Sequence, residues 1–303
     1  MQKNRNCPIC DTTNAQAKTY VAENIDTKKL SSFSFASRKD PEYMSYRMVI
    51  CPTCGLVYAV APPSQAELAR AYHVADYDSS EEASDAAAAY LHTITPILEG
   101  LPQKKSVLEI GAGTGVFLEL LAAQGFGYLV GVEPSVEAIA AAPLSRRSWI
   151  REGIFNEGDF EPGTFDLICC FMTMEHVRDP KEIAEAAFRL LRPGGAFVTV
   201  THDYRGLVNR ILGNRSPIID IEHMQLFSRR SNKYLFQQAG YSEISVRTFK
   251  NCYALSYWFR LLPLPKKLKA RVTAAATSSR LGQIKLSINV GNLMTAGIRP
   301  EGN

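Results

Sequence analysis

The sequence SVLEIGAGTGVFLELLAAQG at residues 106–125 decides the fold of this chain. It predicts a short apolar strand, Ser106–Ile110, a glycine-rich turn, and a helix, Val116–Gln124, that Gly125 closes. Because glycine has no Cβ, a ligand can lie against the backbone of the turn and the N-terminus of the helix. Glu133 ends the next strand, about twenty residues on, where a carboxylate can accept both hydroxyls of a ribose. The segment predicts a nucleotide site, and its spacing alone suits a dinucleotide as well as other nucleotides.

From Ser106 onward, strands and helices alternate along the chain. Further strands are predicted at Tyr128–Val132, Ser148–Ile150, Phe165–Phe171, Ala196–Thr201, Ile244–Phe249 and Ile284–Val290, and further helices at Val136–Ala142 and Pro180–Leu191. Asp179 is expected to cap the second of these helices, and the turn Pro193-Gly194-Gly195 is expected to precede the fifth strand. The alternation predicts an α/β fold: a doubly wound, Rossmann-like, seven-stranded sheet with a ligand site at the carboxyl ends of its strands.

Three segments taken together resemble class I S-adenosylmethionine-dependent methyltransferases. They are EIGAGTG (109–115), with an acidic residue two positions before the first glycine, FDLICCFMTMEHVRDP (165–180) and LLRPGGAFVTV (190–200). The resemblance covers about Ser106–Thr201 and implies S-adenosylmethionine, in place of NAD, as the cofactor. The cofactor-binding residues that it implies are Glu109, Gly111, Gly113, Gly115, Glu133, Ile154, Phe155, Phe171 and Met172.

The same resemblance implies a role for each group of these residues. Glu109 would orient the methionine end of the cofactor, the three glycines would line its sugar and methionine, and Glu133 would hold the ribose. Phe171 and Met172 would close the site after the fourth strand. Many members of the family bind adenine through an aspartate after the third strand, but Ile154 and Phe155 stand there in this chain. Adenine is therefore expected to be held by packing and backbone contacts.

Two CxxC pairs, CPIC (7–10) and CPTC (51–54), lie before the glycine-rich turn and are separated by 40 residues. A secretory leader is not evident, so a reducing, cytoplasmic setting is expected, where paired CxxC motifs more often bind metal than form disulfides. Four thiolates complete a tetrahedral zinc site and leave no position open for chemistry. The predicted ligands of this structural zinc are Cys7, Cys10, Cys51 and Cys54. Residues 1–62 are thus expected to form a small zinc-ribbon-like module before a methyltransferase domain over residues 63–303.

A second resemblance concerns the segment EHMQLFS (222–228), which is similar to the E-H-x-x-Y-F-S segment of zinc-containing sugar C-methyltransferases. That family also has a four-cysteine module with CGLV after its last pair, as at 54–57, and a tyrosine-rich segment that residues 76–80 echo loosely. The family's tyrosine before the Glu-His pair is missing here. The chain is also similar to methyltransferases of bacterial polysaccharide and natural-product clusters, which share the CGLV and GNL (291–293) segments.

The second resemblance implies a catalytic role for Glu222 and His223, with His223 as the general base. His176, just past the fourth strand, is the other candidate base. The alternative left open is that Glu222 and His223 only anchor the helix that begins at Ser228.

The charge of the chain is distributed unevenly. Its net charge is +4, yet residues 244–300 contain ten Lys and Arg and no Asp or Glu. Such a segment suits a phosphate, a nucleic acid or an anionic membrane face, and a solvated basic edge is the alternative. Apolar runs of the roughly 18 residues that a membrane helix needs are absent from the sequence.

These features predict methyl transfer to a small molecule: a sugar, glycolipid or natural product, with an anionic nucleotide- or lipid-linked sugar among the candidates. Peripheral membrane contact stays open. The alternative function is that of a zinc-finger RNA methyltransferase, although the [N/D]-P-P-[Y/F] motif of base-amine methylation does not follow the fourth strand.

Overall fold

The structure, a computed structural model, describes residues 4–35, 42–75, 80–262, 264, 266–277 and 279–301. The strands are β1 (Lys18–Val21), β2 (Met48–Ile50), β3 (Val57–Ala59), β4 (Ser106–Ile110), β5 (Tyr128–Glu133), β6 (Ile150–Glu152), β7 (Phe165–Phe171), β8 (Leu191–His202), β9 (Gln225–Leu226), β10 (Ser242–Ala254) and β11 (Lys285–Ile298). The α-helices are α1 (Gln65–His73), α2 (Ser80–Gly100), α3 (Val116–Ala122), α4 (Val136–Ala141), α5 (Leu144–Arg147), α6 (Pro180–Leu190), α7 (Leu207–Leu212), α8 (Arg229–Gln238), α9 (Leu255–Arg260) and α10 (Lys266–Thr277).

The central sheet has seven strands in the order β10-β11-β8-β7-β4-β5-β6, which confirms the predicted architecture. The five strands from β8 to β6 are parallel, whereas β11 pairs antiparallel with both β8 and β10. Every residue of β7 and of β4 is buried, as a parallel strand covered on both faces requires. The carboxyl ends of the parallel strands meet at one edge, where the glycine-rich turn follows β4.

Several element boundaries differ from those predicted. The third parallel strand is Ile150–Glu152 because the short helix α5 precedes it. The fifth begins at Leu191, since Gly194 donates to Arg299 O and Arg299 N donates to Gly195 O, which keeps the Pro-Gly-Gly segment in the sheet. The two C-terminal strands are longer than predicted because they pair with each other beyond the end of β8.

Side chains near the start of α6 also differ from the expectation. Asp179 precedes this helix and Pro180 begins it, but the Asp179 side chain makes no capping hydrogen bond. Its carboxylate instead lies 3.9 Å from Arg5 Nη1 and 3.6 Å from Arg178 Nε. The carboxylate thus faces two guanidinium groups and does not cap the helix.

A second sheet, in the order β1-β2-β3-β9, joins the N-terminal region to the rest of the chain. Its last strand comes from residues 225–226, inside the predicted methyltransferase domain. The Arg5 side chain spans the same junction: it donates to Ala59 O at 2.9 Å, to Gln225 Oε1 at 3.3 Å and to Arg178 O. The division into residues 1–62 and 63–303 therefore stays a prediction. The two predicted parts share one sheet, because β9 belongs to the second and pairs with β3 of the first.

Buried clusters cover both faces of the central sheet. Cys169 and Cys170 are fully buried on opposite faces, as expected of core residues, whereas Cys252 is only half-buried. The cluster on one face includes Cys7, Cys51 and Cys54, with Cys10 packed against it, and so continues into the second sheet. Residues 76–79, part of the tyrosine-rich segment named above, lie outside the described residues.

Candidate active site

A cavity of about 660 Å³ opens at the carboxyl edge of the central sheet. This volume lies within the range of ligand sites, about 300–1,000 Å³. The predicted site residues that line it are Glu109, Gly111, Gly113, Glu133, Ile154, Phe155, Phe171, Met172, His176, Glu222 and His223. Gly115 is the one predicted cofactor residue that does not line the cavity. It immediately precedes α3, has φ 70° and faces Ile150 and Arg146. Its part is to shape the turn.

The first two glycines of the turn differ in what surrounds them. Gly111 has φ 79°, and a Cβ there would overlap the Thr173 side chain. Gly113 has φ 52°, and a Cβ there would meet nothing within 4 Å. The amides of Gly111 and Ala112 both donate to Val132 O, at 2.9 and 3.1 Å, and so tie the turn to β5. The turn is thus fixed to the sheet while its backbone at Gly113 stays open to a ligand.

Two carboxylates flank this turn: Glu109 is buried, and Glu133 is half-buried. Glu109 is 4% exposed, and its Oε2 has no hydrogen-bond partner among the described residues. Burial raises the pKa of Glu109 well above its usual value. Burial also raises the pKa of Glu133, and hydrogen bonds from Ser135 N to Oε1 (2.9 Å) and from Gly113 N to Oε2 (2.8 Å) oppose that shift. An ammonium group would satisfy Glu109, and each Glu133 oxygen keeps a lone pair for a hydroxyl. These acceptors fit the ammonium and ribose groups of S-adenosylmethionine.

The side chains after β7 and β6 form the adjacent wall. Met172 has φ 50°, a left-handed conformation that costs of order 1–3 kcal/mol for a residue other than glycine. Its amide is held by Val200 O at 2.8 Å. Phe171 packs its ring 4.8 Å from that of Phe117, and the Phe155 ring stacks on Phe160 at 6.2 Å. The strained backbone turns Met172 toward the cavity in a fixed position.

Three histidines cluster in the cavity wall. The ring centroids of His176 and His223 are 4.9 Å apart, and those of His202 and His223 are 5.5 Å apart. His223 is only 6% exposed, and its Nδ1 lies 2.9 Å from Ile218 O. Because a carbonyl oxygen only accepts, Nδ1 carries the proton, and in the neutral ring Nε2 carries the lone pair.

His176 is held by a different set of contacts. Its Nδ1 lies 3.1 Å from both Glu222 O and the Tyr72 hydroxyl, which itself donates to Glu222 O at 3.3 Å. The Glu222 carboxylate is 3.9 Å from the same nitrogen. Although sequence reasoning paired Glu222 with His223, the carboxylate lies beside His176, and the Ile218 carbonyl orients His223.

The third histidine and its partners complete this cluster. His202 ends β8, and its Nδ1 lies 2.9 Å from Asn292 Oδ1. Burial lowers the pKa of His202 to about 4. Glu175 Oε1 accepts from His202 N at 2.6 Å, and burial raises the pKa of Glu175 to about 8.

Sequence reasoning missed Tyr72, Asn251 and Asn292, which line the cavity, and Glu175, which is fully buried and accepts from His202 N. The Glu-His pair at 175–176 was the available signal for Glu175, and the GNL segment (291–293) was the available signal for Asn292.

The rest of the cavity is apolar and aromatic. Its wall here is formed by Val208, Leu212, Tyr253, Tyr257, Trp258, Leu261, Leu262, Ile288 and Val290. The described lining residues include no Lys or Arg. Asn251 is a polar exception: it is 4% exposed, and its Oδ1 has no hydrogen-bond partner in the described part of the chain. This half therefore suits an apolar molecule with a hydrogen-bond donor.

The two CxxC pairs meet away from this lining. The Sγ atoms of Cys7 and Cys54 are 3.5 Å apart, those of Cys10 and Cys51 are 3.4 Å apart, and all four lie within 4.8 Å of one another. A disulfide requires about 2 Å, so these are thiols. A tetrahedral zinc site with Zn–S bonds of about 2.3 Å needs Sγ–Sγ separations close to these. The residues present fit zinc.

None of the helices among the described residues is both long enough and apolar enough to cross a membrane.

Comparison with known proteins agrees with the fold. A family model described as a methyltransferase domain matches residues 81–246, more than half of the chain. The ubiquinone biosynthesis O-methyltransferase of Pectobacterium carotovorum subsp. carotovorum is 28% identical over 139 residues, 41% of this chain and 57% of that protein. The enzyme of that name from Paraburkholderia xenovorans is 34% identical over 117 residues, 36% of this chain and 50% of that protein. The match thus spans about half the length of these relatives.

A solved structure with the same fold comes from Bacillus halodurans, where the protein is provisionally named a methyltransferase. It is 14% identical, with a TM-score of 0.50, and the match covers 70% of this chain and 99% of that one. At this identity the likeness supports the fold alone.

Proposed function

The chain belongs to the class I S-adenosylmethionine-dependent methyltransferases, and on that premise we propose that it methylates a small-molecule acceptor in the apolar half of the cavity. The observation that carries this proposal is the continuity of one cavity. It joins the turn with Glu109 and Glu133 to the histidine cluster and to the aromatic wall beyond. A cofactor at the turn and an acceptor beside the histidines would therefore share one cavity, as an in-line transfer requires.

S-adenosylmethionine, when bound, supplies a methyl group on a cationic sulfur. We propose that Glu109 accepts from its ammonium group and Glu133 from its ribose, since these carboxylates flank the open backbone of Gly113. The two carboxylates also favour the positive charge electrostatically. Ile154 and Phe155 would pack on adenine, and Phe171 and Met172 would close the site.

We propose His223 as the general base that takes the proton of the acceptor. Its support is the Ile218 carbonyl, which keeps the proton on Nδ1 and the lone pair on Nε2. His202 is a weaker candidate because burial lowers its pKa to about 4. His176, with Glu222 at 3.9 Å, would form the wall between cofactor and acceptor.

For the acceptor we propose a hydroxylated sugar, glycolipid or natural product with a neutral reacting end. The described lining has no Lys or Arg, so a diphosphate or other anion on the acceptor would lie at the mouth, near the basic segment 244–300. The curated relatives are named O-methyltransferases, which supports a hydroxyl acceptor. The alternative, an RNA methyltransferase, has the basic segment in its favour, but the apolar lining favours the small molecule.

We further propose that Cys7, Cys10, Cys51 and Cys54 hold a structural zinc and that the protein works in the reducing cytoplasm. The support is the thiol state of four sulfur atoms close enough to share one ion. With four protein ligands, the ion would have no open position for an acceptor.

Methyl transfer from radiolabelled S-adenosylmethionine tests the proposed function. The purified protein would be given hydroxylated amphiphiles, nucleotide sugars and RNA, and the label would be followed into each. We expect label in a hydroxylated small molecule and its loss in Glu109→Ala. Label in RNA alone would favour the alternative, and no cofactor binding by calorimetry would refute both.

A further inference from the structure

Exposed apolar side chains are concentrated in two parts of the chain that also supply residues to the cavity lining. The described chain has thirteen large hydrophobic residues that are exposed, and eight of them lie on α7 or between residues 262 and 288. They are Leu207, Ile211, Leu262, Leu268, Leu281, Ile284, Leu286 and Ile288. Leu207 and Ile211 are 71% and 74% exposed. A single exposed leucine on a protein surface is ordinary. A concentration of this kind marks an interaction surface.

This surface is continuous with the apolar half of the cavity. Val208 and Leu212 line the cavity from α7, while Leu207 and Ile211 of the same helix face solvent. Leu262 lines the cavity and is 41% exposed. We define the cap as residues 251–290, which contain the ends of β10 and β11 that extend past β8, together with α9 and α10. The cap and α7 thus carry one apolar surface from inside the cavity to its rim.

The cap is also strictly cationic. Its seven charged residues are all basic: Arg260, Lys266, Lys267, Lys269, Arg271, Arg280 and Lys285. Two of them join the cap to α2, since Arg260 lies 3.8 Å from Glu82 and Lys285 contacts Asp85. Arg210 and Arg215 add positive charge at and after α7. Aliphatic side chains flanked by cations are typical of surfaces that lie in the interface of an anionic bilayer.

We infer that α7 and the cap form a membrane-docking surface that rests on an anionic bilayer and opens the cavity to a lipid acceptor. Aliphatic residues would enter the headgroup region while the basic residues meet lipid phosphates. The acceptor would then pass from the bilayer into the apolar half without crossing water. The choice of a lipid as acceptor rests on the proposed methyl transfer, whereas the docking itself does not.

Other occupants of this surface fit less well. A second copy of the chain would bring two cap regions of the same charge together in a symmetric dimer, where they repel. RNA would use the cations, but it stacks its bases on aromatic side chains, whereas all eight exposed residues are leucine or isoleucine.

Vesicle flotation with the full chain tests the inference. One set of vesicles would be phosphatidylcholine alone, and the other would include phosphatidylglycerol. We expect tighter binding to the anionic vesicles, weakened by salt, and a loss of about tenfold or more in the double variant Leu207→Asp, Ile211→Asp. Leu144→Asp is the matched control: this leucine is 81% exposed on α5, outside the surface, and its replacement should leave binding unchanged. Circular dichroism would verify that both variants are folded.

Equal binding of the double variant and the wild type would overturn the inference. So would a mass by light scattering that is dimeric in the wild type and monomeric in the double variant, with no vesicle binding. Equal binding to neutral and anionic vesicles, with RNA displacing the protein from both, would also overturn the inference. Flotation needs neither cofactor nor turnover, so vesicle binding without methyl transfer would refute the proposed function alone. Methyl transfer to a water-soluble acceptor without vesicle binding would refute the docking alone.

Discussion

The imidazole rings of His176 and His223 lie against each other in the cavity wall, with centroids 4.9 Å apart and planes inclined by 46°. A backbone carbonyl holds the Nδ1 of each ring: Glu222 O for His176 and Ile218 O for His223. Both neutral rings therefore carry the lone pair on Nε2, and hydrogen bonding alone does not separate their roles. Mutation of each histidine can separate them.

Replacing His223 with alanine should lower kcat by about 10²–10⁴ and leave cofactor affinity nearly unchanged, because a general base acts in the transfer step alone. His176→Ala should instead weaken cofactor binding, since that ring is proposed as the wall beside the cofactor. Turnover at saturating cofactor and calorimetric affinity would be measured for both variants. Loss of turnover in His176→Ala with normal kcat in His223→Ala would reverse the two assignments.

Glu133→Ala should weaken cofactor binding by about 1–3 kcal/mol, because it removes the acceptor proposed for the ribose hydroxyls. Calorimetry with S-adenosylmethionine and with its demethylated product would measure the loss. Glu137→Ala is the matched control, since Glu137 is an exposed glutamate on the helix that follows. Unchanged affinity in Glu133→Ala would remove Glu133 from the site.

The fold could be predicted because its signals are local. The glycine-rich turn, the apolar run of β7 and the alternation of strands and helices each depend on neighbouring residues. The cofactor half of the cavity follows from the same elements, since the carboxyl ends of parallel strands must meet at one edge. Nine of the eleven predicted lining residues need only this geometry, whereas Glu222 and His223 need more.

The rest of the site depends on long-range pairing, which the sequence does not reveal. His202 meets Asn292 because β8 and β11 pair in one register, across ninety residues. The segment that carries His223 is positioned by β9, two residues long, which pairs with β3 of the N-terminal region. The apolar half of the cavity comes from α7 and the cap, where sequence analysis recognised only a basic segment.

Removal of zinc should affect the active site as well as the N-terminal region. Purified protein should contain one zinc per chain by elemental analysis, and Cys54→Ser should lose it and lower the melting temperature, since metal binding contributes folding energy. Because β3 follows the second cysteine pair and pairs with β9, we expect kcat to fall more than cofactor affinity. Cys252→Ser, at a half-buried cysteine outside the cluster, should keep both zinc and stability. Protein purified without chelator that contains no zinc would refute the metal assignment.

The buried carboxyl of Glu175 should make stability depend on pH. Burial raises its pKa from 4.5 to about 8, so the folded chain favours the protonated form. Its contribution to stability is fully present below the unfolded value, near 4.5, and is lost as the pH rises through about 8. His202 acts in the opposite direction: its pKa falls from 6.5 to about 4, so its contribution is lost as the pH falls through that range. From pH 6.5 upward the imidazole is neutral in the folded chain and loses its remaining proton in the unfolded one, and a comparison with a variant that keeps His202 cancels this effect.

Glu175→Gln keeps the shape of the side chain and removes its titration. Between pH 6.5 and 8 we expect the free energy of unfolding of the wild type to fall by about 2 kcal/mol more than that of the variant, at about 1.4 kcal/mol for each pH unit. Urea unfolding at the two pH values would measure the difference. Glu182→Gln, at an exposed glutamate on α6, is the matched control and should follow the wild type. The comparison of each variant with the wild type cancels the titration of Glu109 and Glu133, whose pKa values are also raised. If Glu175→Gln falls in parallel with the wild type, Glu175 is ionised in the folded protein, and the hydrogen bond from His202 N outweighs its burial.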